Sequence, residues 1–253
     1  MNEDETRTPE GAEDFMTEET GGSALEQEKT ERTRESEIQA NIEFWKELGI
    51  EVDEADVRKE VELIPDVKGF EYVIFIPKGL NYKQLLGLTA YEAAKDNPKL
   101  NFDFPNYFTP NQPRKNDEAP YAVALNFDSV RVQNDMSEGK YDEKNTNQGF
   151  LSLPESLVLI LRSIKEEKPV FPDRPWNRRV GICTADSTDQ YCHIGLYYNI
   201  SQLEPPYKIS RISTGTGRFS AMGAADSALR VVGKDTPDEI LEEYRQEAAK
   251  TKE

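Results

Sequence analysis

Apolar residues recur at Ile38, Ile42, Trp45 and Leu48, one face of a helix, and Gly49 follows as a C-cap signal. Asp53 then caps a short second helix over Glu54–Val61, which Pro65 stops. The period changes at Tyr72–Ile76, a continuous apolar and β-branched run that reads as a strand buried on both faces. After the Pro77–Gly79 turn, Asn81-x-x-Gln84 caps a helix to about Lys95, with Tyr82, Leu85, Leu86, Thr89 and Ala93 inward. A strand followed by a helix is the first half of a crossover unit.

Residues 96–118 hold four prolines and five asparagines among aromatics and read as a long connection. Tyr121–Phe127 is the next strand, and the polar, aperiodic residues 133–149 read as an exposed loop. Ser152-x-x-Glu155 is a capping box with Pro154 in the first turn, and Leu157, Ile160, Leu161 and Ile164 line the helix it opens. Arg179–Thr184, Gln190–Tyr198 and Tyr207–Ser213 are three strands in succession. Ser220–Val232 fits a helix or a closing strand. Thr236-Pro-Asp-Glu239 starts a last surface helix, with Thr236 and Glu239 as its capping box and Ile240, Leu241, Tyr244 and Ala248 on one face.

This order predicts one α+β domain, a mixed or antiparallel sheet packed by helices. Charge sets its boundary. The chain carries 48 acidic and 31 basic residues, a net charge of −17. Residues 1–37 hold 13 acidic and 4 basic side chains, net −9, which leaves −8 for the other 216. Residues 1–22 have too few large apolar side chains to offset the entropy of ordering and are expected to form a disordered acidic arm. Residues 23–37 are expected to be an exposed charged helix or linker, and residues 38–253 the domain. No run approaches the roughly 18 apolar residues of a membrane span. The first residues lack the basic and apolar parts of a secretory signal, so a cytoplasmic location is expected. The acidic balance argues against binding nucleic-acid backbone.

Both cysteines and the lone histidine fall within eleven residues, as Cys183, Cys192 and His193. Cys192 and His193 are adjacent on a strand and point to opposite faces. The register of the hairpin therefore decides whether Cys183 meets Cys192, as a thiol pair, or His193, which would activate the thiol by taking its proton. Two thiols and one imidazole do not complete a zinc site, so no metal or cofactor is expected. The string Thr214–Gly223 follows a strand, with Gly215, Gly217 and Ser220 close to the spacing of a dinucleotide fingerprint and Arg211 and Arg218 beside it. Backbone N–H groups at a helix start there would hold phosphate. Trp176-Asn-Arg-Arg179 precedes a strand, and an arginine next to the tryptophan would stack on a base or pair with a carboxylate.

Three pieces in order, Tyr121–Asp128, Leu151–Leu159 and Gly217–Gly223, resemble a bacterial domain family of unknown function. The resemblance covers residues 72–223 and implies a domain boundary without an activity. Three functions follow as expectations. The first is a binding or adaptor protein whose acidic arm meets a protein partner. The second is an enzyme or sensor holding a phosphate or nucleotide ligand at Arg211–Ser220. The third is an acidic mimic of nucleic acid, to which only −8 of the charge contributes from the folded part.

Overall fold

A computed structural model describes residues 32–97, 99–103, 114–131, 149, 151–170, 179–184, 192–198, 209–216 and 226–250. The chain divides after Glu31, and every described residue belongs to the second unit, Arg32–Glu253. The acidic arm of residues 1–22 lies outside the described residues.

The chain is α+β. Its helices are α1 (Arg34–Glu47), α2 (Glu54–Glu62), α3 (Tyr82–Asp96), α4 (Leu153–Lys165) and α5 (Asp238–Lys250). Its strands are β1 (Tyr72–Ile76), β2 (Asn101–Asp103), β3 (Tyr121–Arg131), β4 (Arg179–Thr184), β5 (Cys192–Tyr198), β6 (Ile209–Thr216) and β7 (Asp226–Gly233). They form one seven-stranded sheet in the order β1-β3-β7-β4-β5-β6-β2. Only β3 and β5 run against the rest, so the sheet is mixed. The β1–α3–β2 unit is a crossover between parallel strands that stand at opposite edges of the sheet.

Local signals set the helix starts. Capping boxes form at Thr33 and Ser36, at Asn81 and Gln84, and at Ser152 and Glu155. At the end of α1, Gly49 takes φ +72° and its N–H donates to the Lys46 carbonyl, while Ile50 N–H donates to the Trp45 carbonyl. This double closure needs a left-handed residue at position 49, which glycine adopts at no steric cost.

Three expectations change, and one open alternative closes. The helix start places Arg34–Glu37 inside α1 with Glu37 buried, so the boundary expected between residues 37 and 38 cuts through a helix. The long connection contains β2, whose three residues were too few to show a period. Of the helix or closing strand that fitted Ser220–Val232, the described part, from Asp226 on, is the strand β7, with Leu229, Val231 and Val232 buried. The last helix starts at Asp238, and the Thr236 hydroxyl instead accepts the Gly233 N–H at 2.8 Å.

The β1 edge is closed by side chains of α1. Val73 N–H donates to Glu37 Oε2 at 2.9 Å, and Phe75 N–H donates to Asn41 Oδ1 at 2.9 Å. Asn41 Nδ2 donates to the Val73 carbonyl at 3.0 Å, and Trp45 Nε1 donates to the Phe75 carbonyl at 3.1 Å. Four helical residues rise about 6 Å, close to the roughly 6.7 Å of two strand residues. Glu37, Asn41 and Trp45 therefore keep step with Val73 and Phe75 and take the place of a neighbouring strand. Arg162 of α4, itself buried, adds a bond from Nη1 to the Val73 carbonyl at 2.8 Å and lies 4.4 Å from the Tyr72 ring centroid.

Candidate functional site

The residues singled out from the sequence fall on β4, β5 and β6. Strand pairing sets Cys183 opposite His193, and His193 opposite Gly215. Cys192 stands one step away, opposite Thr184 and Thr216. Of the two registers open to the hairpin, the chain adopts the one that opposes Cys183 to His193 and leaves the cysteines out of step. Arg211 pairs with Tyr197, and Tyr197 with Arg179.

Gly215 is a strand residue, one step from the end of the β5–β6 ladder, and does not form a loop or a helix start. Its neighbours Thr214 and Thr216 are β-branched and extend the strand past the expected end at Ser213. The element after it is β7, and β5 and β4 stand between β6 and β7 in the sheet. Gly217, Arg218 and Ser220 lie outside the described residues.

The register assembles more than the sequence announced. One row across the sheet reads Arg179, Tyr197, Arg211 and Asn101. The next reads Asp226, Gly181, Gly195, Ser213 and Asp103. The third reads Ala228, Cys183, His193 and Gly215. These three rows share a face, because successive rows on one face are two residues apart. The alternate positions, Val180, Leu196 and Ile212 with Ile182 and Ile194, belong to the other face, where Ile194, Leu196 and Ile212 are fully buried. One side of β4–β6 is thus mainly apolar, with Thr214 opposite Ile194. The other places Arg179, Tyr197, Arg211, Cys183 and His193 in rows around adjacent glycines, with Asp226 of β7 and Asp103 of β2 at the two ends of the glycine row. Two neighbouring glycines in a ladder mark a place where another group can approach the backbone closely. A signal for this was present in Arg179-Val-Gly-Ile-Cys, whose odd positions are polar or small and whose even positions are apolar.

A second group of polar residues lies where β3 begins and β7 ends. A cavity of about 230 Å³ there is lined by Arg114, Lys115, Tyr121, Lys234, Asp235 and Thr236 together with backbone around them. Arg114 donates from Nε and Nη2 to the two oxygens of Glu155, at 2.5 and 2.7 Å. Glu155 is fully buried, and its Oε2 also accepts the Ser152 N–H at 2.7 Å. Burial, and then the Glu155 carboxylate, push the Tyr121 hydroxyl well above its ordinary pKa, so Tyr121 stays neutral. Lys234 Nζ donates to Oε2 of Glu60, a buried carboxylate of α2, at 2.9 Å. Sequence spacing gave no sign of this cluster, because Arg114 meets Glu155 across 41 positions and Lys234 meets Glu60 across 174.

Among the described residues, no three His, Cys, Asp or Glu side chains gather as a metal ion would need, and no helix is long and apolar enough to cross a membrane. Searches of family models, curated proteins and solved structures give no match to this chain.

Proposed function

We propose that the protein binds a phosphorylated small molecule on the polar face of β4, β5 and β6. The observation that supports this reading is the row Arg179–Tyr197–Arg211 next to the row Asp226–Gly181–Gly195–Ser213–Asp103. Arginine matches phosphate in geometry as well as charge, through paired N–H donors. Aspartates accept from hydroxyl groups, and glycines admit a ring close to the backbone. Phosphate plus hydroxyls is the chemistry of a sugar phosphate, free or within a nucleotide. The reading is one of binding.

The test is a thermal-shift screen of the full chain against nucleotides and sugar phosphates. A ligand at 100 times its Kd stabilises by about 2.7 kcal/mol, which is a few degrees for a domain of this size. Arg211→Ala is expected to abolish the shift. A hit that survives both Arg211→Ala and Arg179→Ala, or a screen with no hit, rejects the reading.

A second reading has the acidic first segment meeting a basic protein partner. It is favoured by charge segregation, since residues 1–37 carry −9 of the total −17. Removing residues 1–31 would abolish that capture and leave small-molecule binding intact.

A further inference from the structure

We infer that the cavity between the start of β3 and the end of β7 is a second binding site, for a small oxyanion, separate from the β4–β6 face. Its lining is unusual for this chain. Acidic residues outnumber basic ones by 48 to 31 overall, yet here Arg114, Lys115 and Lys234 meet one acid, Asp235.

Two of these cations are held from behind. Glu155 and Glu60 are buried, at 0% and 3% exposure, and neither is among the cavity-lining residues. They fix Arg114 and Lys234 in place. Lysine has three N–H donors and Glu60 takes one from Lys234. Fixing the cations beforehand removes the side-chain ordering that binding would otherwise require. Lys115, an exposed lining residue, has no ion pair among the described residues and can close on a ligand. Thr236 Oγ1 is already an acceptor for the Gly233 N–H, which leaves its hydroxyl proton to donate.

The volume sets the size of the guest. About 230 Å³ is below the roughly 300–1,000 Å³ of pockets for drug-sized ligands. Inorganic phosphate, a small phosphate ester or a short dicarboxylate fits, and a nucleotide does not. Oxyanion character is the shared chemistry, and the source is separated by experiment.

The full chain is titrated with inorganic phosphate and, separately, with malonate, followed by calorimetry. At least one is expected to bind with a Kd of about 1 mM or tighter. Whichever binds more tightly identifies the guest as phosphate-like or carboxylate-like. Lys115→Ala is expected to weaken binding about fivefold, a typical loss for one partly screened charge, and Lys115→Glu to abolish it. Lys115 is exposed, so both variants keep the melting temperature of the parent and report on binding alone. Arg211→Ala leaves this binding unchanged while removing the ligand of the β4–β6 face, so the two sites fail independently. The inference is overturned if neither anion binds, if binding survives Lys115→Glu, or if Arg211→Ala removes it.

Discussion

The sheet face that holds Val73 and Phe75 on β1 continues across the strands to Cys183 and His193 on β4 and β5, and its two halves are built differently. On β1, β3 and β7 the positions are Val73, Phe75, Ala122, Ala124 and Val232, all buried. Here α2 packs against β1 and β3, and α5 lies over Arg230, which pairs with Glu247 and stands 5.4 Å from the Tyr244 ring centroid. On β4, β5 and β6 the same face carries arginine, tyrosine, serine, glycine, cysteine and histidine positions. One backbone ladder therefore serves two purposes. The first half is built mainly for burial, where every methylene contributes, with Asn126 and Arg230 partly buried beside the apolar positions. The second half gives up that contribution on one face and retains it on the other, through Ile194, Leu196 and Ile212. A sheet can carry a polar face at modest cost when its reverse side is mostly apolar.

The strongest way to break this contrast is at the closed edge of the first half. Trp45 is fully buried and supplies the partner of the Phe75 carbonyl. Trp45→Ala is expected to cost about 3–5 kcal/mol in urea unfolding, with the ligand proposed for the polar face still bound by the molecules that fold. A loss under about 1 kcal/mol would mean that α1 is not integral to the sheet. A gentler cut is Asn41→Ala. It leaves the Phe75 N–H without a partner while the Val73 carbonyl keeps Arg162, so about 1–3 kcal/mol is expected. Substitution by aspartate, which retains an acceptor, should recover part of that loss. If Asn41→Ala and its aspartate counterpart are equally stable, the bond to Phe75 has no weight.

The smallest effect sharpens the contrast at the border of the halves. Burial, opposed by Arg230, raises the Tyr244 pKa to about 12, and its hydroxyl donates to the Gly149 carbonyl at 3.1 Å. The neutral form is the one the fold favours. Its stabilisation is complete below the pKa near 10 of an unfolded tyrosine and is lost as pH rises from about 10 to about 12. Melting temperatures should fall across that window in the parent and fall less in Tyr244→Phe. Parallel curves for the two proteins would remove Tyr244 from the account.

What could be read from the sequence was what neighbours in sequence decide. Asn81 with Gln84 and Ser152 with Glu155 are three residues apart, and their helices start where the pattern placed them. The run Tyr72–Ile76 is buried throughout, as a continuous apolar strand should be. What escaped depended on partners far along the chain. Glu37 and Asn41 looked like the polar side of α1 because nothing local shows that Val73 and Phe75 lie 32 to 36 positions away. The site shows the same limit. Cys183, His193 and Arg211 were legible as candidates by residue type. Their assembly with Arg179, Tyr197 and Asp103 was not, because it is set by a strand register and by a crossover that brings β2 to the far edge. Gly215 misled because a glycine between threonines reads equally as a turn and as the bare position of a ladder.

The way α1 stands in for a strand has a practical meaning for handling the protein. A fragment starting at residue 38 would keep every apolar side chain of the helix and would look complete by hydropathy. It would lack Thr33 and Ser36, which cap the helix, and Glu37, which holds the Val73 N–H. With its first turn frayed, the helix would lift from β1 and leave a short, apolar, hydrogen-bonding edge open to the same edge of another molecule. Such a fragment is expected to polymerise as its concentration rises. The few polar residues ahead of the hydrophobic stripe are what close this edge of the sheet.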